Sequence, residues 1–108
     1  MNEFNKNIIK IIKNIPDGKV ISYGRIATLS GNPRASRQVA RILHSSSEKY
    51  DLPWHRVVNS QRKISLKNPI AYEQQKNMLQ NEGIIFTLSD VIKKEFFWEI
   101  SVIEAIKL

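Results

Sequence analysis

Breaks made of proline and glycine decide what this chain can fold into. They fall at Pro16-Asp17-Gly18, Gly31-Asn32-Pro33, Pro53, Asn68-Pro69 and Gly83. Proline fixes φ and withholds an N–H donor, while glycine readily enters the left-handed region that ends helices and closes turns. The pieces between the breaks are short, and none is an apolar run long enough to cross a bilayer. For 108 residues the expectation is one domain over 1–108, mainly α with a small β-hairpin, around one modest core.

Residues 3–15 place Phe4, Ile8, Ile11, Ile12 and Ile15 on one stripe, with Lys6, Lys10 and Lys13 away from it, the pattern of an amphipathic helix. Beyond the first break, Lys19-Val20-Ile21 reads as extended, and Ser22 is a good N-cap for a helix over about Tyr23 to Leu29. Gly31 closes that helix and Asn32-Pro33 turns the chain. The next helix is predicted from about Arg34 to His44. At about 100° per residue, Ala35, Val39, Ile42 and Leu43 share one side, and Arg34, Arg37, Gln38 and Arg41 share the other. Two short helices across a glycine-containing turn, the second with arginines facing out, read as a helix-turn-helix, with Arg34, Arg37, Gln38 and Arg41 as the expected DNA-binding residues.

An ordinary solvated face is the alternative, and three arginines with no interleaved acid weigh against it. The overall charge points the same way: 17 Lys plus Arg against 10 Asp plus Glu leave a formal net charge of +7. Such an imbalance in so small a chain suggests a polyanionic partner, most often nucleic acid, although a merely basic surface has the same charge.

A polar connection, Ser45 to Asp51, leads into Leu52-Pro53-Trp54-His55-Arg56-Val57-Val58. Val57 and Val58 read as the start of a buried strand, and Trp54 is either a core residue or the wall of a pocket. Asn59-Ser60-Gln61-Arg62 predicts a turn, with Lys63-Ile64-Ser65-Leu66 returning as the second strand of a hairpin. A helix follows from about Ile70 to Asn81, with Ala71, Gln75, Met78 and Leu79 inward and Gly83 closing it. Ile84-Ile85-Phe86 is a short β run. The segment Val91–Leu108 is either one helix or a loop followed by a helix.

The chain has no cysteine. That excludes disulfides, thiolate zinc sites and any mechanism needing a thiolate nucleophile. His44 and His55 supply at most half of a zinc site, so no metal and no cofactor are expected. Met1-Asn2-Glu3-Phe4-Asn5-Lys6 lacks the apolar core and cleavage site of a secretion signal. A cytoplasmic monomer with no membrane association is the expectation.

Three segments together carry a family resemblance: Ile15-Pro16-Asp17-Gly18-Lys19-Val20-Ile21-Ser22-Tyr23-Gly24, then Gly31-Asn32-Pro33-Arg34-Ala35-Ser36-Arg37-Gln38-Val39, then Pro53-Trp54-His55-Arg56-Val57-Val58. In this order and spacing they resemble the DNA-binding domain of the O6-alkylguanine-DNA alkyltransferases, a winged helix-turn-helix-like fold. The resemblance covers roughly residues 4–98 and leaves 99–108 unassigned. In the enzymes the third segment reads Pro-Cys-His-Arg-Val, and the cysteine accepts the alkyl group. Trp54 in that position is the mark of the alkyltransferase-like proteins, which bind the same lesion without repairing it.

The resemblance implies a non-catalytic sensor whose partner is double-stranded DNA containing O6-alkylguanine, with nucleotide excision repair proteins as the expected further partner. It implies a lesion pocket at Tyr23, Trp54 and Lys67, with Arg37 filling the gap left by a flipped base and the recognition helix in the minor groove. Tyr23 taken alone reads as a core aromatic at a helix start, and the motif context reverses that reading. His55 and Glu82, which in the enzymes belong to a relay that ionises a thiol absent here, and Arg56, at the position of an arginine that anchors the site by hydrogen bonds, are expected to form a structural network, and no residue is assigned a catalytic role. Alkyl transfer to a non-sulfur side chain is disfavoured, because His55, Ser60 and Tyr23 are each less ionised or less polarizable than a thiolate at neutral pH. Two departures stand out: Ala40 occupies a position where the motif usually has glycine, and Gln61-Arg62-Lys63 lacks the glycine usual in that turn. The rival reading is a sequence-specific regulator that reads the major groove through Arg34, Gln38 and Arg41.

Overall fold

In the computed structural model, which describes residues 1–108, the first stripe becomes helix α1 (Glu3–Lys13). Asn2 caps it by accepting a hydrogen bond from the Asn5 N–H at 2.8 Å. Lys10 and Lys13 lie in the last turn, at the negative end of the helix dipole. Ile8, Ile9, Ile11, Ile12 and, just beyond the helix, Ile15 are buried. Ser22 caps helix α2 (Tyr23–Leu29) by accepting from the Arg25 N–H, on the span that the sequence predicts.

Helix α3 (Ser36–Ser46) starts two residues later than expected. Asn32 Oδ1 accepts from the Arg34 N–H at 3.1 Å, a side-chain turn that holds Arg34 outside the helix. Val39, Ile42 and Leu43 are buried, and α3 packs on both α2 and α1. This trio forms the helix-turn-helix half of the molecule.

The small sheet differs from the expected hairpin. Strands β1 (Ile21–Ser22) and β2 (Val57–Val58) pair in parallel, Ile21 opposite Val57 and Ser22 opposite Val58. The segment Lys63–Leu66 does not return as a strand. Asn59 Oδ1 accepts from the N–H groups of Gln61 and Lys63, and the Asn59 N–H donates to the Lys63 carbonyl, so this turn satisfies its own backbone. Ile64 is buried, whereas Ser65, Leu66 and Lys67 run exposed.

Strand alternation explains how two short strands organise the core. Ile21 and Val57 belong to an apolar cluster built from α1, α2 and α3 with Ile100 and Ala105. Val20 and Val58 belong to a second cluster with Ile64, Leu79, Ile84 and Ile92. The strand pair is therefore the wall shared by both clusters.

Helix α4 (Pro69–Asn81) is capped by Asn68, with Pro69 in the first turn where its missing N–H costs nothing. Gln75 and Leu79 are buried, while Ala71 and Met78 are half-buried. Of Ile84-Ile85-Phe86 only Phe86 pairs, in an isolated antiparallel bridge with Ile92. The final segment is a loop followed by a short helix, α5 (Val102–Ile106), started by a reciprocal Ser101–Glu104 capping box.

Candidate nucleic-acid interface

The parallel register places the C-terminal ends of both strands side by side. Tyr23 follows Ser22 there, and Asn59 follows Val58. Both residues line a cavity of about 690 Å³ that opens between α3, the Trp54 turn and the loop after Ile64. That size lies within the range of small-molecule pockets, about 300–1,000 Å³. Trp54 lines the cavity, stays half-exposed, and also packs on the larger apolar cluster. Core residue and pocket wall are thus two faces of one indole. Tyr23 is likewise half-buried and packed on the same cluster, and its hydroxyl lies 3.5 Å from Ser65 Oγ across the cavity.

The turn that presents Trp54 is a short 3-10 segment, Trp54–Arg56, entered through Pro53 and fastened from below. Gln75, buried on α4, donates from its amide nitrogen to the carbonyls of His55 at 3.0 Å and Val57 at 3.1 Å. The Trp54 and His55 rings meet edge to face with centroids 6.2 Å apart. His55 is buried and places Nε2 2.5 Å from Glu82 Oε2. Arg56 donates Nε and Nη2 to Glu82, Nη1 to the Ile15 carbonyl at 2.9 Å, and Nη2 to Asp17 at 3.3 Å. Glu82 also accepts from the Gly18 N–H at 2.9 Å. Burial works against the Glu82 charge, but the hydrogen bonds from Arg56, Gly18 and His55 outweigh it and bring the carboxyl from the usual 4.5 down to about 2. The network joins the Pro16 turn, the Trp54 turn and the end of α4.

The predicted basic face of α3 separates into three behaviours. Arg37 is exposed and lines the cavity. Arg34 and Arg41 are exposed but do not reach the cavity wall. Gln38 turns the other way and donates to Asn5 Oδ1 on α1 at 2.8 Å, which makes it a helix–helix tie. Lys67 is exposed and absent from the wall; its neighbours Ser65 and Leu66 are the residues that line it. Ala40 does face the cavity, so the methyl group that replaces the usual hydrogen takes up space on the binding side.

Sequence reasoning missed His44. It is exposed and lines the cavity, one helical turn beyond Ala40 and two beyond Arg37. The spacing of four and seven residues along α3 carried that signal.

A paired-helix scaffold with exposed arginines, holding an aromatic-walled cavity beside it, defines a DNA-binding domain. The chain belongs to the family of the 6-O-methylguanine DNA methyltransferase DNA-binding domain, whose model matches residues 3–84. It is 39% identical over 100 residues to a DNA base-flipping protein of Vibrio parahaemolyticus, covering 92% of this chain and 99% of that one. Alkyltransferase-like protein 1 of Schizosaccharomyces pombe is 40% identical over 85 residues, with 78% of this chain and 79% of that protein covered. The fold is similar to the crystal structure of S. pombe Atl1 in complex with damaged DNA containing O6-carboxymethylguanine, at a TM-score of 0.76 and 33% identity, over 93% of this chain and 98% of that one.

Proposed function

We propose that this chain, acting as one domain over residues 1–108, is a non-enzymatic sensor of O6-alkylguanine in duplex DNA. It takes the lesion out of the base stack into the cavity walled by Tyr23 and Trp54, with α3 in the minor groove. The observation that carries this reading is the indole of Trp54. It stands half-exposed on the cavity wall in a chain that has no cysteine to accept an alkyl group. A base inside a duplex cannot be examined in place, and unstacking it costs about a few kcal/mol. An alkylated guanine pairs badly, so its extrusion costs less than that of an intact one. Arg37, exposed at the cavity edge, fills the vacated space: its planar guanidinium stacks and hydrogen-bonds the unpaired cytosine, which a lysine ammonium cannot do.

By the family resemblance, the resulting complex flags the site for nucleotide excision repair proteins. A major-groove regulator that reads through Arg34, Gln38 and Arg41 draws less support, because Gln38 is already bonded to Asn5. The test is a competition between O6-methylguanine and unmodified duplexes for the wild type and Arg37→Ala. The wild type prefers the lesion, and the variant loses at least about tenfold of lesion affinity, about 1.4 kcal/mol. Equal affinity of the wild type for both duplexes contradicts the proposal.

A further inference from the structure

Every charged group on the cavity wall is basic. Arg37 and His44 are there, Tyr23 is the one other titratable group, and the remaining polar side chains are serine, asparagine and glutamine. No carboxylate lines the cavity. On its own helix His44 has Arg41 one turn before it, and Glu48 follows one turn after, beyond the end of α3. In the proposed complex Arg37 is committed to the duplex, which leaves the His44 imidazole as the basic side chain on the wall of the cavity that holds the base. Histidine is the side chain whose charge ordinarily changes between about pH 5 and 8.

We infer that His44 makes this pocket selective for guanines whose O6 substituent carries a negative charge, a carboxymethyl group for example, over neutral alkyl groups of similar size. The inference rests on the proposed lesion binding and adds the class of adduct. Protonated imidazole donates a charge-assisted hydrogen bond to the carboxylate, in a site where the seated base and the indole displace water. Neutral imidazole keeps a donor but loses the charge. Selectivity for the anionic adduct therefore grows as pH falls through the imidazole range. The ionic partner differs from a phosphate of the DNA backbone, which has the same anionic chemistry but is present in every duplex.

The experiment measures affinity at about pH 6 and about pH 8, at fixed ionic strength, for otherwise identical duplexes containing guanine, O6-methylguanine or O6-carboxymethylguanine. The proteins are the wild type, His44→Gln and His44→Lys; position 44 is exposed, and circular dichroism checks that each folds. The readout is the ratio of carboxymethyl to methyl affinity, in which phosphate contacts cancel. In the wild type the ratio rises about tenfold from the higher to the lower pH. In His44→Gln it is low and independent of pH, and in His44→Lys it is high at both. A ratio that does not change with pH while all three affinities rise together on acidification assigns His44 to the backbone phosphates and overturns the inference. So does a pH-dependent ratio that survives in His44→Gln. If methylguanine is bound no better than guanine at either pH, the proposed function fails and takes the inference with it. Retained methylguanine preference with a flat ratio refutes the inference alone.

Discussion

At the scale of single residues, Trp54 is held by hydrogen-bonding groups packed behind its turn. His55 and Arg56, the next two residues, both bond to Glu82, and Gln75 bonds the turn's carbonyls. Glu82 is the hub, and its lowered pKa fixes the sign of a pH effect. A carboxyl whose folded pKa lies below its unfolded value stabilises the fold above the unfolded pKa, and that contribution is lost as pH falls. The stability from Glu82 is therefore complete above about 4.5 and drains away towards about 2. Urea unfolding across that range should show the loss in the wild type. Glu82→Gln should be less stable at neutral pH and show a smaller acid step; an unchanged acid step would remove Glu82 from this role. A second residue prediction concerns Arg62, whose φ of 62° places a non-glycine residue in the left-handed region of its turn. Arg62→Gly relieves that conformation and should raise stability by about 0.5–1 kcal/mol in the same unfolding experiment.

At the scale of elements, α3 divides its labour by face. One side is core, the side with Ser36, Ala40 and His44 borders the cavity, and Gln38 ties the helix to α1. Gln38→Ala should cost about 0.5–1.5 kcal/mol of stability in thermal or urea unfolding and leave the preference for damaged over intact DNA unchanged. A regulator reading bases through Gln38 requires the opposite pair of results. Helices α2 and α4 were legible in the sequence because they carry their own caps and stop signals: Ser22, Asn68 and Gly83 act on neighbours a few residues away, whereas α3, with no side-chain cap, starts later than its pattern predicts. The parallel pairing of Ile21–Ser22 with Val57–Val58 was not legible, since a contact across so much intervening chain leaves no local pattern. The failed hairpin has the same cause in reverse. Lys63–Leu66 alternates like a strand, yet the Asn59 side chain takes up the turn N–H groups and leaves no ladder to extend. Within the site, Trp54, Tyr23 and Arg37 were found through motif resemblance. His44 and the direction of Gln38 depended on helix phase against two neighbours, which spacing along one helix constrains only in part.

At the scale of the whole molecule, a chain with a radius of gyration of 13.1 Å and a formal net charge of +7 presents an electrostatic surface out of proportion to its size. Two apolar clusters on opposite sides of one short strand pair give a rigid frame, and the exposed arginines of α3 and the cavity open on that frame. DNA binding through phosphate contacts releases counterions, so affinity for any duplex should fall steeply between about 50 and 200 mM salt. The preference for lesion over intact DNA, which the proposed function places in the cavity, should fall far less; a flat affinity in fluorescence anisotropy titrations would argue against DNA as the partner. In the proposed function the cavity reads an alkylated guanine and leaves it chemically intact. Incubation with duplex DNA carrying a radiolabelled methyl group at O6 of one guanine, alongside the unmodified duplex, measures both parts at once. The expected result is tighter binding of the modified duplex, with all label still on DNA after the protein is denatured. Label recovered on the protein, or equal binding of the two duplexes, would contradict it.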